Sequence, residues 1–195
     1  MAIADRVTLM PEAEPPSERV ILVDPGDTDI GTAGKLDAHE RGLMHRAFSV
    51  LIWDSAGRML LQKRHVAKYH SGGLWTNACC GHPRPGEPTA LAALRRLGEE
   101  MGLACPLVPL ARHTYRAALD KGLTEHEIVH VFGGCHDGPV LANVCEAEAF
   151  RWCSLGDIER EIAADPQAFT IWFRQYVGLD WVRSGPAQCR AGAAP

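Results

Sequence analysis

No stretch of this 195-residue chain stays apolar for the roughly 20 residues that a membrane-spanning helix requires, so no such span is expected. Positive charge is in short supply as well. The 20 Lys and Arg are outnumbered by 24 Asp and Glu, for a net charge of −4. A protein that coats nucleic acid needs the opposite balance, and no nucleic-acid partner is expected. The first twenty residues lack the apolar core of a secretory signal, which points to the cytoplasm. The seven cysteines are odd in number, irregularly spaced and contain no CxxC pair. That excludes an orderly disulfide framework and makes a zinc ribbon a poor reading. No GxGxxG follows a strand pattern, so neither a flavin nor a nicotinamide site is expected. Repeats and low-complexity blocks are missing too.

What remains is an ordinary globular composition, 46% hydrophobic and 23% charged, long enough for one full core. Residues 1–18, with Pro11, Pro15 and Pro16 among acids, read as a flexible leader, and 184–195 as a flexible tail. The domain is then 19–183. ERVILVD reads as a first strand, and AFSVLIWDSAGRMLLQKR as a hairpin turning at 54–57. PTALAALRRLGEEM has a helical period, with Gly102 suited to its C-terminal cap. Ala90, Leu94, Leu97 and Met101 are expected on its apolar face, and Arg96, Glu99 and Glu100 on the other. HEIVHVFGG and AFRWCSL read as strands, and the segments GDIEREIAADP and QAFTIWFRQYVGLDWV as closing helices. Strands and helices interleave without a regular βαβ alternation, which favours a mixed α/β (α+β) sandwich.

Two groupings carry chemistry. The stretch from Gly81 to Leu103 can be laid on the Nudix box, G-x5-E-x7-R-E-U-x-E-E-x-G-U. Gly81, Glu87, Arg95, Leu97, Glu99, Glu100, Gly102 and Leu103 fall in register. One position fails: Arg96 stands where the box has glutamate. An arginine cannot ligate a cation but can grip phosphate oxygens, so a diphosphate could be bound and left uncut. The second grouping is His39, His45 and His82, expected in turns or at strand edges, with Glu125 and Glu127. These two acids stand at i and i+2 and share a strand face. Such a donor set suits a borderline cation such as Mn²⁺, Zn²⁺ or Fe²⁺, and Mg²⁺ more weakly. His126 lies between the two acids and should point away.

LMHRAFSV (43–50), WTNACCGHP (75–83), the altered box, Tyr115–Arg116, EHE (125–127) and Trp172 together resemble type I isopentenyl-diphosphate Δ-isomerase. The match runs from about Val20 to Val182. The resemblance implies a Nudix-like fold of mixed sheets between helices. It implies interconversion of isopentenyl and dimethylallyl diphosphate within isoprenoid biosynthesis, by proton transfer on opposite faces of the alkene. It implies catalytic Cys80 and Glu127 assisted by Tyr115 and Trp172, and metal ligation by His39, His45, His82, Glu125 and Glu127. It further implies that Glu100 serves a diphosphate-linked Mg²⁺, and that Lys35, Arg64, Lys68 and Arg96 hold the substrate. A turn is expected to lift Cys80 out of its strand while Cys79 points elsewhere. The chain is expected to act as a monomer or weak homodimer. The alternative is a Nudix-type diphosphate hydrolase, which the arginine at position 96 weakens.

Overall fold

The computed structural model describes residues 18–192, so all of the expected leader but Glu18, and the last three residues of the expected tail, lie outside it. The strand His45–Trp53 (β3) organises the fold. Its sequence, HRAFSVLIW, has no polar alternation, and every residue except Arg46 is buried. That is the signature of a strand covered on both faces. Along one edge β3 runs parallel to Thr124–Cys135 (β8), in register from His45 opposite Glu127 to Trp53 opposite Cys135. β8 in turn pairs antiparallel with Val108–Ala118 (β7).

The other edge of β3 is shared. Cys79–Gly81 (β6) pairs antiparallel with residues 48–50, and Arg19–Val23 (β1) meets it at Leu22 and His45. Met59–Arg64 (β4) touches it only at Trp53 and Met59. The expected hairpin is therefore present at its turn, where Asp54 accepts from the backbone N–H of Arg58 at 2.8 Å, but its strands part after one pair. Both edges of β3 are already occupied, so β4 continues with Trp75–Asn77 (β5) and Ala147–Cys153 (β9) instead. Asp29–Gly34 (β2) completes the mixed sheet beside β1.

Alternation along β3 feeds two cores. Phe48, Val50 and Ile52 pack with Ala92, Ala93, Leu97 and Met101 of the helix Thr89–Met101 (α2). Ala47, Leu51 and Trp53 pack with Leu155–Ala164 (α3), Ile171–Val177 (α4) and Asp180–Gly192 (α5) on the opposite face. Each large apolar side chain so buried contributes about 1.5–3 kcal/mol. Among the described residues no helix is long and apolar enough to cross a membrane.

Two expectations need correction. On α2 the buried stripe is Ala92, Ala93, Leu97, Glu100 and Met101, whereas Ala90 is exposed and Leu94 is 39% exposed. Glu100 shares a helix face with Ala93 and Leu97, so it is buried with them. The closing segment is broken: Phe169 is extended and bridges Trp75 between a 3-10 turn (Pro166–Ala168) and α4, and Gly178 ends α4. Residues from Ser184 to Gly192 continue α5 as a helix. Gly185 lies so close to Trp53 that a Cβ there would meet the indole at 2.4 Å, so the glycine permits the docking.

Candidate active site

Glu127 is placed by register. It stands opposite His45 across the parallel pair β3/β8 and opposite Tyr115 across β7/β8. The Tyr115 hydroxyl donates to Glu127 Oε2 at 3.0 Å. Glu125, two residues earlier on the same face, is 3% exposed. His39 comes from the helix Lys35–Arg41 (α1), not from a turn, and His45 from the first position of β3. The ligand atoms of His39, His45, His82, Glu125 and Glu127 all lie within 4.8 Å of one another.

The local chemistry suits a divalent cation. His39 Nδ1–H donates to Lys35 O at 2.6 Å and His45 Nδ1–H to Leu43 O at 2.8 Å, which turns Nε2 of each ring into the cluster, where it can ligate once deprotonated. Among the described residues, the buried Glu125 Oε2 accepts no hydrogen bond; His39 Nε2 is 3.3 Å away. An acceptor left bare in this way is costly unless a cation meets it. Burial, together with the neighbouring His45, Lys35 and His39, holds His82 well below the ordinary imidazole range. It is thus neutral and able to ligate. Burial works against ionisation of Glu127, yet hydrogen bonding and charge from His45 hold its carboxyl below the usual value. His126 donates toward, or accepts near, nothing in this cluster; its Nδ1 pairs with Gly42 O at 3.0 Å.

Cys79 and Cys80 lie within β6, so strand alternation, and no turn, separates them. Cys79 is 0% exposed and belongs to the α2 core. Cys80 faces the other way, into a cavity of about 320 Å³ also lined by Tyr115, Glu125, Glu127 and Trp172. Its Sγ is 3.2 Å from Ser49 Oγ and 3.3 Å from Asn77 Oδ1. Burial pushes this thiol up to about 12, against the pull of the Ser49 and Asn77 hydrogen bonds. Trp172 is 3% exposed and fixed by its Nε1–H, which donates to Thr76 Oγ1 at 2.9 Å.

Lys35, Arg64, Lys68 and Arg96 line the same cavity. The Arg64 guanidinium stands 5.3 Å from the Trp172 ring centre and donates to the carbonyls of His70 and Ser71. Lys35 Nζ lies 4.5 Å above the Tyr69 ring, and burial lowers its basicity. Arg96, expected to reach for phosphate, pairs with Glu99, Glu100 and Glu146. Glu100 is 2% exposed, and its second oxygen accepts from Gln62 Nε2 at 3.0 Å. It borders the cavity apart from the histidine cluster.

The sequence reading missed Ser49, Gln62, His70, Asn77, Glu146 and Tyr176. Gln62 had a signal, a lone amide inside the apolar MLLQKR, and it is 1% exposed. Tyr176 had none, because its hydroxyl reaches Ser49 Oγ at 3.1 Å across 127 residues. His70, with Nε2 3.5 Å from Glu125 Oε1, adds a fourth imidazole beside the cluster.

The NUDIX domain family matches residues 43–173. A protein of Burkholderia multivorans named isopentenyl-diphosphate Delta-isomerase is 53% identical over 156 residues, covering 80% of this chain and 89% of that one. Isopentenyl-diphosphate Delta-isomerase 2 of Aromatoleum aromaticum is 46% identical, covering 91% and 93%. A crystallised protein of Deinococcus radiodurans shares the fold, with a TM-score of 0.68 at 18% identity, covering 86% of this chain and 99% of its own. Identity this high along most of the chain leaves one assignment: within the Nudix fold, the protein belongs to the isopentenyl-diphosphate Δ-isomerase family.

Proposed function

We propose that this isomerase interconverts isopentenyl and dimethylallyl diphosphate by an antarafacial 1,3-allylic proton transfer between Cys80 and Glu127, as a step of isoprenoid biosynthesis. The observation that carries the reading is that the Cys80 thiol and the Glu127 carboxyl, brought from β6 and β8, line one small cavity rimmed with cations. In the forward direction a proton is added to the terminal alkene carbon, which leaves a tertiary carbocation at C3. A proton then leaves C2, and its bonding electrons form the new C2=C3 bond. One of the pair gives the first proton and the other takes the second.

The remaining side chains serve that exchange. Tyr115 orients the Glu127 carboxyl through its hydrogen bond. Trp172 offers a π face to the cationic centre, a contact worth about 2 kcal/mol when water is excluded. Its buried position, and the enclosing Tyr176, keep water from capturing the cation as an alcohol. Lys35, Arg64, Lys68 and Arg96 hold the diphosphate, and Glu100 would serve its accompanying Mg²⁺ once Arg96 turns to the phosphate. A divalent ion, Mn²⁺, Zn²⁺ or Mg²⁺, would be held by His39, His45, His82, Glu125 and Glu127, where it supplies positive charge that fixes the acidity of Glu127.

The reading is tested by incubating the protein with isopentenyl diphosphate and Mg²⁺ in D₂O. Dimethylallyl diphosphate carrying solvent deuterium is expected. Failure to form that product, with release of phosphate or diphosphate from nucleotides instead, would establish the hydrolase alternative.

A further inference from the structure

Glu146 belongs to none of the groups above, yet it faces the cavity and pairs with two of the cations that line it, Lys68 and Arg96. Its Oε2 meets Lys68 Nζ, and its Oε1 lies 3.2 Å from Arg96 Nη2. The backbone that carries it is pinned. The Glu146 N–H donates to Asn143 O at 2.9 Å, and its carbonyl accepts from the His65 N–H at 2.9 Å. Ala147, the next residue, already begins β9. The carboxylate can therefore leave the cations only by rotating its own side chain, which is 22% exposed at the cavity rim and has solvent to rotate into.

We infer that Glu146 is a specificity-determining residue: an internal carboxylate that bridges Lys68 and Arg96, the latter shared with Glu99 and Glu100, until a ligand with two linked phosphoryl groups displaces it from both. The inference rests on the reading that these cations hold the diphosphate. A single phosphoryl group can take one cation while Glu146 keeps the other, so it gains little and still meets the repulsion of the carboxylate. A diphosphate replaces both contacts together and releases Glu146 to water. Glu100 cannot substitute in this role, because Gln62 holds its second oxygen inside the fold, and Glu99 pairs with Arg95 and Arg96, whereas Lys68 pairs with Glu146. The cavity thus favours diphosphates over monophosphates by a penalty on partial occupancy as well as by direct attraction.

The experiment measures calorimetric binding of inorganic pyrophosphate and inorganic phosphate, without and with Mg²⁺, to the wild-type protein, Glu146→Gln and Lys68→Ala. Glu146→Gln keeps the side-chain shape and removes the charge. It is expected to bind pyrophosphate about fivefold more tightly, and phosphate by a larger factor, so that the pyrophosphate-to-phosphate preference falls. Glu146→Ala, read beside it, is expected to shift in the same direction. Unchanged or weaker pyrophosphate binding by both Glu146 variants, with Lys68→Ala weakened, would overturn the placeholder role alone. Unweakened binding by Lys68→Ala would remove the diphosphate-holding assignment on which it stands. Weaker binding by Glu146→Gln only when Mg²⁺ is present would overturn the inference and make Glu146 a cation ligand instead.

Discussion

Cys79 and Cys80 are chemically the same residue, and their opposite fates follow from one strand step. β6 is pleated against β3, so the side chain opposite Val50 enters the α2 core and the one opposite Ser49 enters the cavity. Cys80→Ala is expected to reduce kcat by several orders of magnitude with little change in thermal midpoint. Cys79→Ala is expected to keep its kcat and to unfold more easily by about 1 kcal/mol, the cost of a small cavity in a packed core. Steady-state kinetics and urea denaturation on both variants check this, and an equal loss of kcat in the two would place the wrong thiol in the site. The pair was legible in the sequence as two thiols before Gly-His. Which one is assigned to catalysis came from the family resemblance, and the sequence offered a turn where the structure has a strand.

Elements are tied to one another by charge as well as by apolar packing, and the turn between β1 and β2 shows it. Asp27 adopts φ 68° there, and its carboxylate accepts from Arg46 Nε of β3 at 2.8 Å and lies 2.7 Å from His130 Nε2 of β8. Burial opposes its ionisation, but Arg46 and His130 outweigh that and lower its pKa from 3.8. A carboxyl depressed in the folded state adds stability that is complete above its unfolded value and is lost as pH falls through the folded one. Asp27→Asn, which tolerates the left-handed backbone, is expected to be less stable by about 1 kcal/mol at pH 7. The gap should close as pH falls below 3.8, as urea titrations of both proteins would reveal. Nothing in DIGTAG, the exposed strand β2 that follows this turn, marks it as a strand. It has no buried face to impose a period of two, whereas β1, with Val20, Ile21 and Val23 buried, was readable at once.

At the scale of the whole molecule, the metal cluster joins α1, β3, the segment after β6, and β8, so a bound ion would link parts of the chain that meet only on folding. Two buried carboxylates face three imidazoles there, and an ion that binds the folded state alone raises stability by mass action. Treatment with a chelator is expected to lower the thermal midpoint, and Mn²⁺ or Zn²⁺ to restore it. The same titration on a Glu125→Gln, His39→Ala double variant should show a shift several-fold smaller. An identical shift in both proteins would mean that the ion binds elsewhere.

Local pattern was sufficient for what depends on near neighbours. The spacing of the altered box, the i and i+2 placement of Glu125 and Glu127, the cap at Gly102 and the apolar run of β3 are properties of a few consecutive residues, and each has a physical reading without a fold. Tertiary structure alone decided the rest. The parallel pairing of β3 with β8 sets Glu127 between His45 and Tyr115. The packing of α2 against the sheet buries Glu100, and Glu146 comes to rest on Lys68 and Arg96 from 50 and more residues away. Such contacts form only when distant segments share one core, and the energy that selects them is spread over the whole packed interior rather than written at any single position.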